Sequence, residues 1–178
     1  FTGCDCARIC HRHIMTHEAK DSIGKNLYDL AESVYGSLRF SGVRIGGYRD
    51  ETDPAKQQQF AAATFKLGEK QYFTAFRGTD NTIVGWRENM DLAYNEEVPS
   101  QKAAVKYINE ATKELKGKFI LGGHSKGGNL AVYAAACCFK RAFKKITAVY
   151  NFDGPGFNDI VLNKKEFHNI FDKVHTYV

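Results

Sequence analysis

Apolar positions along this chain fall into two rhythms, and their order predicts an α/β fold. From Thr16 to Leu38, Leu27, Leu30, Ala31 and Val34 recur at helical spacing with Gly36 near the end, so this stretch reads as a helix covering a sheet face. Val43 to Tyr48 alternates like an edge strand, and Asp50 to Pro54 is a polar turn. Phe60–Leu67 and Gln71–Phe76, joined by a Gly68-Glu69 turn, predict a β-hairpin. Pro99 to Leu115 carries Ala103, Ala104, Tyr107, Ile108, Ala111 and Leu115 on one helical stripe, with Lys and Glu opposite. Phe119–Leu121 is a short apolar run suited to a buried parallel strand, and Asn129–Phe139, rich in Ala and Leu, reads as a helix. Ile146–Phe152 is a further buried strand, followed by a helix around Leu162–Phe171 and a strand beginning at Val174–Val178. Strands alternating with helices imply one α/β domain over 1–178, with a mostly parallel sheet and helices on both faces.

The candidate chemistry sits where the Phe119–Leu121 strand gives way to the next helix, in Gly123-His124-Ser125-Lys126-Gly127. A strand that turns into a helix within so few residues strains the central residue and leaves no room for side chains on either flank, which Gly123 and Gly127 provide. The turn would lift Ser125 above the strand ends at a helix N-terminus, where unpaired N–H groups can stabilise an oxyanion. Ser125 is therefore the candidate nucleophile, and the Lys126 N–H one expected donor. The sequence argues against a phosphate loop, because Ser125-Lys126-Gly127 inverts the Gly-Lys-Ser/Thr order and the glycine spacing is too short.

Upstream, the hairpin's second strand runs into Phe76-Arg77-Gly78-Thr79-Asp80, then Trp86 and Asp91-Leu92. A strand leaving through Gly-Thr into a polar loop can offer a backbone N–H and a hydroxyl above the sheet, so Thr79 is the second oxyanion-hole candidate. Arg77 is a possible partner for Asp91, and Trp86 is read as packing.

Composition narrows the remaining choices. The 178 residues, 43% hydrophobic and 13% aromatic, suffice for one sizeable core. The net charge of +5 is spread along the chain rather than clustered, which argues for a solvated basic surface and against nucleic-acid binding. No apolar stretch approaches the roughly 20 residues of a membrane span. Residues 1–17 hold Cys4, Cys6, Cys10, His11, His13 and His17, a composition that suits zinc but a spacing that matches none of the usual zinc patterns. These six remain candidate ligands only, and no metal or cofactor is expected. The cysteines then read as reduced thiols of a cytoplasmic protein, with Cys137 and Cys138 as small core residues.

With these residues in view, the chain resembles the α/β-hydrolases, and within them the class-three lipases. Phe76-Arg77-Gly78-Thr79 with Trp86 and Asp91-Leu92 is similar to their oxyanion-loop strand, and Gly122-Gly123-His124-Ser125 with Gly127-Gly128 to their nucleophile elbow. The chain also resembles an uncharacterised bacterial family of lipase-like domains of unknown function, through Gln59 to Ala62, Val84-Gly85-Trp86, Gly122 to Tyr133 and Asp153-Gly154-Pro155-Gly156-Phe157. The resemblance spans residues 40 to 178 and implies acyl transfer at Ser125. Two positions depart from the class-three pattern: Lys126 replaces a leucine and sets a cation beside the serine, and Asp153 replaces a glycine.

In this fold the acid and the base follow the serine in that order. Asp153, at a strand's C-terminal end, is the acid in view. His175 is the base candidate within the chain, with His168 on a helix and His124 read as packing. The expected arrangement is a C-terminally truncated chain whose histidine lies past Val178, with His175 as the fallback. The resulting reading is a serine hydrolase of a small acyl ester, thioester or lipid-like substrate, with Ser125, Asp153 and His175 as catalytic residues. A non-catalytic α/β-hydrolase-like binding domain is the alternative.

Overall fold

The computed structural model describes residues 4–5, 29–30, 33–34, 36–80 and 82–178. Its strands form one sheet in sequential order: β1 (Cys4–Asp5), β2 (Arg44–Asp53), β3 (Gln58–Gly68), β4 (Gln71–Phe76), β5 (Lys118–His124), β6 (Ile146–Phe152) and β7 (Val174–Tyr177). From β1 to β4 neighbours run antiparallel, and the turns of a few residues that join β2 to β3 and β3 to β4 can only reverse the chain. From β4 to β7 they run parallel, each pair joined by a helical crossover. Setting aside the two-residue β1, three of the five pairings are parallel. The sheet is thus mixed, with its two senses segregated on either side of β4.

The helices are α1 (Ile83–Tyr94), α2 (Pro99–Glu114), α3 (Lys126–Cys137) and the single turns α4 (Lys140–Phe143), α5 (Asp159–Leu162) and α6 (Lys165–His168). Among the described residues α2, α3 and α6 gather on one face: α2 packs on β3, α3 on β4, β5 and β6, and α3 touches both other helices. Alanines at 131, 134 and 135 are fully buried and let α3 approach the sheet closely. Beneath them lie Phe119 and Leu121, while Phe60, Phe76 and Tyr107 meet at centroid distances of 6.3 Å. The Thr64 hydroxyl bonds both the Thr74 hydroxyl and the Tyr107 hydroxyl at 2.9 Å, so these three buried hydroxyls are paired.

The helix expected over 16–38 lies largely outside the described residues, where Asp29–Leu30, Ser33–Val34 and Gly36 are helical. The single helix expected around Leu162–Phe171 is instead split among α5, α6 and a 3-10 turn at Phe171–Lys173. A larger difference is α1, which stands where a polar loop was expected. Thr82 caps it, its hydroxyl accepting from the Gly85 N–H at 3.1 Å, and Asp80 in turn accepts from the Thr82 N–H at 3.0 Å. Its inward face carries Gly85, Glu88 and Leu92, whereas Trp86, expected to pack, is 57% exposed. No described helix is long and apolar enough to cross a membrane.

Candidate functional site

The junction of β5 and α3 places Ser125 in a strained position. Its φ of 53° and ψ of −131° lie in a region that L-residues rarely adopt, and it caps α3. Main-chain bonds fix it there: its N–H donates to the Phe152 carbonyl at 2.9 Å, and its carbonyl accepts the Gly128 N–H at 2.8 Å. The glycines permit this crossing. A Cβ on Gly123 would come within 2.4 Å of the Gly127 carbonyl carbon, and one on Gly127 within 2.2 Å of the Phe76 oxygen.

The loop after β4 closes over the same point. A Cβ on Gly78 would sit 2.8 Å from the His124 carbonyl oxygen and 3.6 Å from Ser125 Cβ, so the 77–79 main chain passes directly beside the serine. Thr79 Oγ1 is buried without a hydrogen-bond partner, an unusual state for a hydroxyl. The Lys126 N–H is the first of α3 and has no intrahelical acceptor. The structure brings Ser125, Gly78–Thr79 and the start of α3 together at one end of the sheet.

The Lys126 side chain is elsewhere. It is fully buried, and its ammonium donates to Gln59 O at 2.7 Å, Gln59 Oε1 at 2.6 Å and Glu88 Oε2 at 3.0 Å. Those three acceptors match its three hydrogens. Burial pushes its pKa down and the Glu88 carboxylate opposes that shift. Glu88, also fully buried, accepts the Gln59 N–H at 2.9 Å and, at the start of α2, the Ser100 N–H at 2.8 Å. The expected cation beside the serine is thus corrected: its charge is spent in a buried ion pair with Glu88.

Asp153 follows β6, is exposed, has a φ of 50° and donates its N–H to the Tyr177 carbonyl at 2.7 Å. The next residue, Gly154, is wedged against the elbow, where a Cβ would meet Asn151 Oδ1 at 2.3 Å and Ser125 O at 2.9 Å. His175 lies too far away to serve as base. It pairs with Tyr150, which pairs with Gly122, so it sits three residues back along the sheet and two strands across from Ser125. At ordinary strand spacings each displacement is about 10 Å. Its ring stacks on Tyr150 at 5.2 Å. His168 is exposed and faces the Phe171 ring. Arg77 pairs with Asp50 at 2.9 Å, across the β2–β3–β4 end, and not with Asp91.

Four further residues hold the site, Gln59, Glu88, Gln101 and Asn129; the sequence reading quoted Gln59 and Asn129 within motifs and gave none of the four a role. Asn129 is fully buried, donates to Pro155 O at 3.0 Å and accepts from Gln101 Nε2 at 2.9 Å, tying α3 to the loop after Asp153. No spacing rule exposes such contacts; the only available signal was a Gln, Glu or Asn beside a motif. Cys4 is described as a strand residue, whereas Cys6, Cys10, His11, His13 and His17 lie outside the described residues. Among the described residues no cluster of three or more His, Cys, Asp or Glu could hold a metal ion.

Comparison with known proteins places this geometry in context. A family model described as Mbeg1-like matches residues 34–178. The chain is 29% identical over 154 residues to the extracellular phospholipase A1 of Serratia liquefaciens, a match covering 80% of this chain and 43% of that protein. It thus spans less than half of that relative's length. It is also similar to the crystal structure of M37 lipase, with a TM-score of 0.47 and 16% identity over 96% of this chain and 65% of that one.

Proposed function

This chain belongs to the Mbeg1-like family, and we propose that it is a serine acyl hydrolase of lipid-type esters with Ser125 as the nucleophile. The observation that carries the reading is the Ser125 backbone, held at a φ of 53° between a strand and a helix with the Gly78–Thr79 loop against its side chain. Storing strain at that one residue is intelligible if it presents a hydroxyl to a substrate. Similarity to a phospholipase A1 supports an ester of a lipid as the substrate class. On this reading the parallel half of the sheet is the core of an α/β-hydrolase fold.

The reaction then runs as acyl transfer. Ser125 Oγ attacks the ester carbonyl carbon while its proton passes to a general-base histidine. The carbonyl oxygen becomes an oxyanion between the Lys126 N–H and Thr79, whose N–H and unpaired hydroxyl both qualify as donors. Collapse expels the alcohol, which takes the proton from the histidine, and water releases the acid from the acyl-enzyme. Asp153 remains the acid candidate beside the elbow.

Covalent labelling with a fluorophosphonate tests this on the full-length protein. Labelling that vanishes in Ser125→Ala, with the circular dichroism spectrum retained, is the expected result. A folded full-length protein that takes no label overturns the hydrolase reading and leaves a binding domain built on the same elbow.

A further inference from the structure

Gln59 lies far from the serine in sequence, yet each of its polar groups is engaged with the machinery around it. Its side chain is fully buried. Oε1 accepts from Lys126 Nζ at 2.6 Å, and Nε2 donates to the Gly78 carbonyl at 3.5 Å. Its main-chain carbonyl accepts a second Lys126 proton at 2.7 Å, and its main-chain N–H donates to Glu88 Oε2 at 2.9 Å. Lys126 is the residue whose N–H is one oxyanion donor, and Gly78 precedes the residue that offers the other. One side-chain amide therefore spans the two halves of the oxyanion hole.

We propose that Gln59, bonded to Lys126 on one side and reaching the Gly78 carbonyl at 3.5 Å on the other, is a positioning residue that sets the distance between the two oxyanion donors. The inference rests on the acyl-hydrolase reading above. Glu88 completes the device, because its carboxylate holds the free third proton of Lys126 and anchors the assembly to the first turn of α2. Close packing leaves the amide little freedom: a Cβ on Gly85 would lie 3.2 Å from Gln59 Oε1, 3.2 Å from Thr79 Cγ2 and 2.7 Å from Asp80 Oδ1. Stability alone is a poor explanation for such a network. A buried ion pair loses solvation that its attraction barely returns, and apolar side chains of similar volume commonly serve as well. A network that joins two donors on different elements has a use that apolar packing lacks, since donor placement in an oxyanion hole must hold to a fraction of an ångström.

The test uses the full-length protein with Gln59→Met, which keeps the volume and removes both amide contacts, and with Lys126→Met/Glu88→Leu, which removes the ion pair together. Hydrolysis of a short-chain p-nitrophenyl ester is expected to lose about tenfold to a hundredfold in kcat with KM within about twofold. Affinity for a trifluoromethyl ketone, which forms an oxyanion on the enzyme, should fall by a similar factor, while affinity for the matching methyl ketone stays level. That split distinguishes donor placement from general loosening. Should Gln59→Met not fold, Gln59→Glu keeps an acceptor for Lys126 and removes the donor to Gly78, and the same split is expected. Folded variants with wild-type kcat, or with both ketones weakened equally, overturn the positioning role while the hydrolase reading stands. A folded wild-type protein that neither turns over nor labels overturns both.

Discussion

Helix α3 begins and ends on a residue of nucleophile type, Ser125 at its N-cap and Cys138 at its C-cap, and the two ends could hardly differ more. By intrinsic chemistry the thiol is the better nucleophile. At the C-terminal end, however, Cys138 is pushed up to about 12 by burial, and the neighbouring Cys137 thiol is also raised by burial. Cys138 Sγ donates to the Ala135 carbonyl at 3.4 Å, and the negative pole of the helix further disfavours a thiolate. At the N-terminal end the helix offers unpaired N–H groups, the backbone is strained, and a second loop crosses within contact of the side chain. The setting of a nucleophile-type residue on this helix is thus fixed by which end it occupies rather than by its residue type.

The most severe way to break the N-terminal end is Gly127→Ala. The new Cβ would meet backbone, at 2.2 Å from Phe76 O and 2.9 Å from Phe76 C, so nothing can swing aside. A loss of about 3 kcal/mol or more is expected from such overpacking. Gly156→Ala is the control: no atom lies within 4 Å of its Cβ, and the change should stay within about 0.5 kcal/mol. Urea midpoints measure both, and equal midpoints would mean that glycine clearance does not hold the elbow.

At the other end the comparison sharpens through the thiol. A pKa of about 12 in place of 9.0 lowers the thiolate fraction at pH 8 by about a thousandfold, against which greater basicity returns a factor of about twenty to thirty. Peptide-resolved iodoacetamide labelling should therefore find Cys138 at least about thirtyfold slower than an unfolded thiol. Its rate should keep rising with pH past 9, toward 12. The linked stability has the matching sign: because the folded pKa is raised, it is fully present below pH 9 and is lost as pH climbs toward 12. A labelling rate that levels near pH 9 would show an exposed thiol and remove the contrast between the two ends.

These two ends also mark where sequence reading succeeds and where it stops. The strand before Ser125, the alanine-rich helix after it and the glycines between are local patterns, and so are the hairpin of β3 and β4 and the amphipathic helix α2. Helix α1 was missed because its pattern is inverted: Ile83, Trp86, Met90 and Tyr94 are exposed, while Gly85 and Glu88 face inward. Lys126 read as a cation near the site because nothing local reveals partners at Gln59 and Glu88, 67 and 38 residues away. His175 fails for a related reason. Its place in chain order suits a triad, but the register of β6 and β7 sets it beside Tyr150.

The finest test separates strain from chemistry at Ser125 itself. With a φ of 53° and a ψ of −131°, any side chain there holds the backbone in a costly region, so Ser125→Ala should leave stability within about 0.5 kcal/mol of wild type. Ser125→Gly removes the Cβ and with it a strain of about 1–3 kcal/mol, offset by about 0.5–1 kcal/mol for the freer unfolded chain. A net gain of about 1 kcal/mol is expected, by urea unfolding with unchanged m. Cys138 supplies the reverse case, since its φ of −72° and ψ of 163° are ordinary for any residue. There Cys138→Gly should be less stable than Cys138→Ala, the usual order. If glycine were worse than alanine at both ends, the elbow backbone would carry no strain, and the serine's position would be an accident of packing rather than a conformation maintained against a cost.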